Sequence, residues 1–295
     1  MITSAWPPAP ASIYGAASAS TPAAASSNRV AALASTPAAG LAAVPASAFA
    51  AVPAARSTAA PAPLREGHVD VFAFALNPPD ERLAALRAAL AAEEHERAAG
   101  FRFDAHRRAF ESCRGAVREI LAAHLGCAPA AVRFQYGEHG KPALLADDAP
   151  LVFSVSHSSE LGLCAISRRG ALGVDVEFLR PLPDALAIAE RFFSTAERDS
   201  LRTLQPPALE AAFFAAWTRK EAFIKALGEG LSHPLADFDV TLLPGEPARL
   251  LRVAGDDEAP ARWRLAALDP APGYFAALAA AEPVNAVACW SWPPG

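Results

Sequence analysis

The sequence predicts an α+β protein of two similar halves, residues 65–172 and 173–292, behind a low-complexity N-terminal tail, residues 1–64. Three observations carry that reading. Composition changes abruptly near residue 64. From Arg65 onward, strand-like runs of period two alternate with stretches of period 3.6, so strands and helices interleave. After Leu231 a series of short apolar runs, separated by turns rich in Pro, Gly and Asp, closes the chain with strands. No strong internal repeat links the halves.

The first 64 residues hold 25 Ala, 9 Pro and 9 Ser, with Arg29 and Arg56 as their charges and no acid. Such a segment has little to bury, so it is expected to be disordered and to lie outside the fold. No basic stretch precedes a compact apolar run, so a secretory signal is not expected. From Arg65 onward, 24 basic residues face 31 acidic ones, a net of −7. That argues against a nucleic-acid or anionic-membrane binder, which would be broadly basic. No uninterrupted apolar run reaches 18 residues, so no membrane span is expected. Cys113, Cys127, Cys164 and Cys289 form no CxxC pair, and the seven histidines form no zinc pattern. The thiols read as reduced and mostly buried, in a cytoplasmic protein.

The elements follow in order. His68 to Leu76 reads as a first strand, stopped by Asn77-Pro78-Pro79. Asp80 is placed to cap a helix through Leu83, Leu86 and Leu90. A charged patch, Glu93 to Arg97, precedes a long helical region from Phe101 to Leu125. Arg107, Arg108, Arg114 and Arg118 lie on it. They suit either a solvated face or a phosphate, since a planar guanidinium forks onto phosphate oxygens. Phe134 to Tyr136 is a strand end, and the following turn carries Lys141.

Leu151 to Ser158 is a strand ending in Ser156-His157-Ser158, which suits a ligand loop or a turn whose hydroxyls satisfy the backbone. No GxSxG surrounds these serines, which argues against a hydrolase nucleophile. Leu161–Ile166 and Ala171–Phe178 read as a hairpin across Ser167 to Gly170. On its second arm Asp175 and Glu177 emerge on one face. Side by side they suit either a half-solvated strand face or a hard cation such as magnesium.

Glu190 to Leu204 reads as a helix with Ser194 or Thr195 as possible cap. Next comes a helix from Phe213, stopped by Gly228 and Gly230. Trp217, Glu221 and Lys225 recur at spacing four and share one face, flanked by Arg219 and Lys220. Alone, this pattern reads as a surface helix with a Glu–Lys pair. Strands at Phe238–Leu243, Leu250–Val253, Ala261–Leu268, Tyr274–Ala280 and Val284–Trp290 complete the chain.

Together these stretches resemble the 4′-phosphopantetheinyl transferases of the surfactin-synthetase-activating type. The resemblance rests on Gly140-Lys141-Pro142, on Phe153 to Ser158, and on Gly173-Val174-Asp175-Val176-Glu177. It continues through Arg191-Phe192-Phe193-Ser194, Trp217 to Lys225, and Gly230-Leu231. Order and spacing agree from roughly Leu90 to Ala280, and the Lys-Glu-Ala after Trp217 resembles the W/KEA subgroup. The family fold implied is two pseudo-symmetric α/β subdomains, each a small antiparallel sheet with helices, with the ligand in the cleft between them.

The activity implied is transfer of the phosphopantetheine arm of coenzyme A to a serine of an apo acyl, peptidyl or polyketide carrier protein, releasing 3′,5′-ADP. By resemblance Asp175, Glu177 and Glu221 coordinate Mg2+. Lys225 contacts the diphosphate, Ser156 and His157 contact coenzyme A phosphates, and Lys141 lies near the adenine end. Glu221 is the implied base, directly or through a water. Arg108, then Arg107, with Arg97 as an additional contact, are expected at the 3′-phosphate. Ser154 stands where the family commonly has Asn.

Phe192, Phe193 and nearby basic residues are expected to dock the carrier. A monomer is expected. Two rival readings are another magnesium-dependent phosphoryl or nucleotidyl enzyme and a non-catalytic protein that binds coenzyme A or a carrier domain.

Overall fold

The computed structural model describes residues 52–55, 64–145, 151–228, 233–281 and 283–293. Strand β1 (Val52–Ala55) comes first, then β2 (His68–Ala75). Three helices follow, α1 (Asp80–Ala88), α2 (Ala92–Ala99) and α3 (Asp104–Leu125). A small hairpin, β3 (Phe134–Tyr136) with β4 (Pro142–Leu144), leads to β5 (Val152–Ser158) and β6 (Leu161–Ser167). The second half runs β7 (Leu172–Phe178), α4 (Ala185–Phe192), α5 (Thr195–Arg202) and α6 (Ala208–Leu227). It continues through β8 (Phe238–Val240), β9 (Leu250–Val253), α7 (Ala259–Arg262), β10 (Trp263–Asp269), β11 (Tyr274–Ala281) and β12 (Ala286–Trp292).

The same connectivity occurs twice. In the first half the order is β5-β6-β2, and in the second it is β10-β11-β7. Each time the first strand pairs antiparallel with the third and the second lies outside it. A long helix, α3 or α6, fills the connection between first and second strands. This is the pseudo-symmetric pair of α/β units that the resemblance implies.

Side-chain alternation explains the layers. On β2, Phe72 and Phe74 pack under α3 with Val117, Ile120 and Leu121. Val69 and Val71 turn to the other side, where they meet Leu163, Val174, Val176 and Leu278. On β7, Leu172, Val174 and Val176 enter that shared core, which leaves Gly173, Asp175 and Glu177 on the side of α6.

Gly173 marks the closest approach of helix and strand. A Cβ there would stand 2.0 Å from the Ala222 carbonyl oxygen and 2.4 Å from the Ala226 nitrogen. Both are backbone atoms that cannot swing aside. Gly173→Ala is therefore expected to cost about 2–3 kcal/mol, at the upper end of overpacking. A urea titration read by circular dichroism checks it, and an unchanged midpoint would contradict this packing.

Several sequence expectations are corrected. Residues 161–178 are not one hairpin. β6 pairs with β5 and β2, while β7 pairs with β11 in the other half. Two apolar runs around a short loop read alike whether they pair with each other or cross to different sheet edges. The expected helix over 190–204 is two helices, broken at Ser194, which caps α5 by accepting from Glu197 N. Asp80 is the first residue of α1 rather than its cap.

Part of the segment expected outside the fold belongs to it. β1 lies between β10 and β12, parallel to both, and Leu64 is buried beneath α3. Between those strands the sheet edges offer unpaired backbone groups, which any extended segment can satisfy. β12 leaves its own half and pairs parallel with β2. All eight long-range strands thus form one sheet, β5-β6-β2-β12-β1-β10-β11-β7.

The two ends of that sheet meet without a backbone ladder. The hydroxyls of Ser154, Ser156 and Ser158 on β5 accept hydrogen bonds from the N–H groups of Val174, Val176 and Phe178 on β7, at 3.1, 3.4 and 3.1 Å. This serine seam joins the halves beside α6.

Candidate functional site

Helix α6 is longer and more buried than its surface reading implies. It begins at Ala208 and ends where Gly228, at φ 79°, donates its N–H to the Ile224 carbonyl. Gly230 and Leu231 lie outside the described residues. Arg219 and Lys220 do not flank an exposed stripe, since both are buried. The Lys220 ammonium donates to the Leu235 and Phe238 carbonyls at 2.8 and 2.5 Å and pairs with Glu197 at 2.8 Å. Trp217 stacks on Phe213 and Phe193. Phe193 is 2% exposed, so it belongs to the core and presents no docking surface.

One turn beyond Trp217, α6 turns Glu221 and Lys225 toward the two carboxylates of β7. The Lys225 Nζ lies 2.6 Å from Asp175 Oδ1 and 2.9 Å from Ser156 Oγ. Ser156 donates its own proton to Asp175 Oδ1 at 2.8 Å. Ser158 donates to Glu177 Oε2 at 2.9 Å, and Arg180 Nη1 stands 3.8 Å from the same oxygen. Asp175 and Glu221 are each 5% exposed, and Asp175 Oδ2 and Glu221 Oε1 are buried without a hydrogen-bond partner.

Such a cluster is electrostatically strained. Burial first, then the neighbouring Asp175 charge, pushes the Glu221 carboxyl up to about 7, against the pull of Lys225. Burial and Asp175 push Glu177 to about 7 as well, opposed by the Ser158 hydrogen bond and by Arg180 and Lys225.

Among the described residues no three acidic, His or Cys side chains already stand at ion-holding separation. The Lys225 ammonium lies on Asp175 and supplies the compensating charge there. The donor set still fits a hard divalent cation. Its members are all carboxylate oxygens, two of those oxygens lack any partner, and burying several carboxylates together is unfavourable without positive charge among them.

Other predicted site residues make no hydrogen bond to these carboxylates. The Lys141 ammonium donates to the Leu172 and Ala226 carbonyls at 3.0 and 3.4 Å, and burial pushes its pKa down to about 8. It clamps a first-half turn onto β7 and α6, the two elements that carry the site. Arg108 donates to Asp80 Oδ1 at 2.8 Å and to the Pro78 carbonyl at 3.2 Å, and Arg107 pairs with Asp104 at 2.9 Å. Neither shares a bond with the carboxylate cluster. Arg97 lays its guanidinium on the Phe110 ring, 5.3 Å from the centroid. His157 is surface-exposed on the opposite side of β5 from Ser156 and Ser158, yet its ring is within electrostatic reach of the cluster. Desolvation first, then the Lys225 charge, push its pKa down, against the pull of Asp175.

Arg114 and Arg118, read as a solvated or phosphate-binding stripe, are buried. Both donate to Glu94 at 2.6 and 2.7 Å and cover the Phe134 ring. Sequence reasoning missed the serine seam. Its signal was the spacing of Ser154, Ser156 and Ser158, which puts three hydroxyls on one face of a strand.

The family model described as the 4′-phosphopantetheinyl transferase superfamily matches residues 171–279, from the start of β7 through most of β11. The chain is 38% identical over 234 residues to the 4′-phosphopantetheinyl transferase HetI of Nostoc sp., covering 78% of this chain and 92% of that protein. It is 33% identical over 231 residues to the 4′-phosphopantetheinyl transferase psf-1 of Bacillus pumilus, covering 74% and 95%. To the 4′-phosphopantetheinyl transferase Sfp of Bacillus subtilis it is 33% identical over 168 residues, covering 57% and 71%.

Proposed function

Because the chain belongs to the 4′-phosphopantetheinyl transferase family, we propose that it transfers the phosphopantetheine arm of coenzyme A to a serine of an apo carrier protein. In this reading the serine oxygen attacks the pantetheine-side phosphorus, the bond to the bridging pyrophosphate oxygen breaks, and 3′,5′-ADP leaves. The observation that carries the proposal is the meeting of Asp175 and Glu177 of β7 with Glu221 and Lys225 of α6, with two carboxylate oxygens left unpartnered.

Asp175, Glu177 and Glu221 would hold Mg2+. When bound, the ion would neutralise pyrophosphate charge and polarise the phosphorus under attack. Lys225 offers an ammonium held between Asp175 and Ser156, suited to take charge from the departing diphosphate. Glu221 would accept the serine proton, directly or through a water that it orients. Coenzyme A phosphates would contact His157, and the 3′-phosphate would draw on Arg97, Arg107 or Arg108 once their present contacts open.

The acidic fold, net −7 beyond residue 64, suits a monomer that acts on coenzyme A and carrier domains rather than on nucleic acid or a membrane surface. No helix among the described residues is long and apolar enough to cross a membrane. Its cysteines are free, with Cys113, Cys164 and Cys289 buried, which suits the cytoplasm.

The test is chromatographic. Coenzyme A, Mg2+ and an apo carrier domain should yield 3′,5′-ADP in step with loss of apo carrier, and EDTA should stop it. Equal ADP release without carrier would replace this reading with a coenzyme A phosphodiesterase.

A further inference from the structure

We infer that Ser158 is a positioning residue, whose hydroxyl is held by β7 so that its proton fixes the Glu177 carboxylate for a divalent cation. The inference rests on the proposed metal role of the carboxylates. It concerns a residue to which neither the resemblance nor the proposed chemistry assigns any part.

A serine hydroxyl has one proton and two acceptor positions. Phe178 N–H occupies one acceptor position at 3.1 Å, and the proton goes to Glu177 Oε2 at 2.9 Å. The N–H and the carboxylate belong to neighbouring residues of β7, so a single hydroxyl reads the backbone and orients the side chain beside it. Two residues earlier the arrangement repeats: Ser156 accepts from Val176 N–H and donates to Asp175 Oδ1. At Ser154 it repeats only in half. Val174 N–H donates to that hydroxyl, but the preceding residue is Gly173, which has no carboxylate. The seam therefore contains its own comparison, a serine that joins the strands without orienting an acid.

Glu177 needs such an anchor more than Asp175 does. Its side chain is one carbon longer, and it is repelled by Asp175. Arg180 Nη1 stands 3.8 Å from the same Glu177 oxygen. Without the Ser158 proton, both forces turn Glu177 toward Arg180 and away from Asp175. Groups that orient metal ligands in this way are typically worth 10–100-fold in affinity.

The experiment measures Mn2+ binding to the full chain without coenzyme A, by the loss of the free-ion electron paramagnetic resonance signal. Thermal melts confirm folding of every variant. Ser158→Ala should weaken Mn2+ binding roughly tenfold, Ser158→Thr should restore it, and Ser154→Ala should leave it at the wild-type value despite a similar loss of thermal stability. Equal affinity in Ser158→Ala and wild type, or an equal loss in Ser154→Ala, overturns the positioning role alone. Should Ser158→Ala fail to fold, Ser158→Cys takes its place, since a thiol of similar size is only a weak donor. It should lose Mn2+ affinity in the same direction, and wild-type affinity in that variant overturns the role. Absence of Mn2+ binding by the wild type overturns the metal reading beneath it.

Discussion

Replacing Glu221 with Gln is expected to stop transfer and stabilise the metal-free protein at once. Loss of a general base costs roughly 10²–10⁴-fold in rate, and the same side chain is assigned to the cation. The stability gain comes from the cluster itself. Glu221 is buried beside Asp175 and Glu177, with one oxygen lacking any partner. A neutral amide removes the repulsion.

The sign with pH follows from the raised carboxyl. A group pushed up to about 7 in the fold is protonated there at pH 5, so wild type and Glu221→Gln should then unfold at similar temperatures. From the ordinary carboxylate value up to about 7 the unfolded chain gives up this proton while the fold keeps it, so the wild type loses stability across that window. Above about 7 the loss is complete, whereas the variant is unaffected. By pH 8 the difference should be on the order of 1 kcal/mol in favour of the variant, after allowing for relaxation of the site. Differential scanning fluorimetry in EDTA from pH 5 to 8 measures it. A variant less stable than wild type at pH 8 would show that the carboxylates are not in conflict.

Lys220→Met should be the most damaging single change outside the carboxylates. The lysine is fully buried, and its ammonium is the shared partner of the Glu197 carboxylate and two backbone carbonyls. Glu197 also accepts from Val240 N and Ser194 N, so this ion pair ties α5, α6 and β8 together. Methionine fills the volume but strands a buried carboxylate, which typically costs about 3–5 kcal/mol. Adding Glu197→Gln should recover part of that loss, since the stranded charge disappears while one of the two side-chain oxygens that accept from the Ser194 and Val240 N–H groups remains. Urea unfolding of the two proteins decides it. A double variant no better than Lys220→Met would mean that the damage lies in packing rather than charge.

Lys220 also shows what the sequence could and could not reveal. The spacing of Trp217, Glu221 and Lys225 showed which side chains share a helix face, and period two showed that Asp175 and Glu177 share a strand face. Both inferences are local, and both hold. The sequence could not show which groups a buried cation meets across the fold. Lys220 and Arg219 read as surface charges because their partners lie 15 to 22 positions further on, in backbone carbonyls that have no sequence signature.

Arg114 and Arg118 failed the same way, since a guanidinium fork fits a carboxylate such as Glu94 as well as a phosphate. The interleaving of strands and helices was legible in each half, and the pairing of the strands was not. β6 and β7 looked like a hairpin, and β12 like one more strand of the second half, because pairing depends on which edge is open rather than on the residues of the strand. The seam between β5 and β7 is invisible to a reading that expects backbone ladders. Its three serines looked like a polar strand end.

The central claim is that the β7–α6 cluster performs the transfer, and intact-mass measurement of a panel of apo carrier domains tests it most directly. With coenzyme A and Mg2+, the wild type should add one phosphopantetheine arm to at least one carrier, and Asp175→Ala, folded by circular dichroism, should add none. A wild type that leaves every carrier unchanged while binding coenzyme A, or an Asp175→Ala variant that modifies the carrier as fast as wild type, would contradict it.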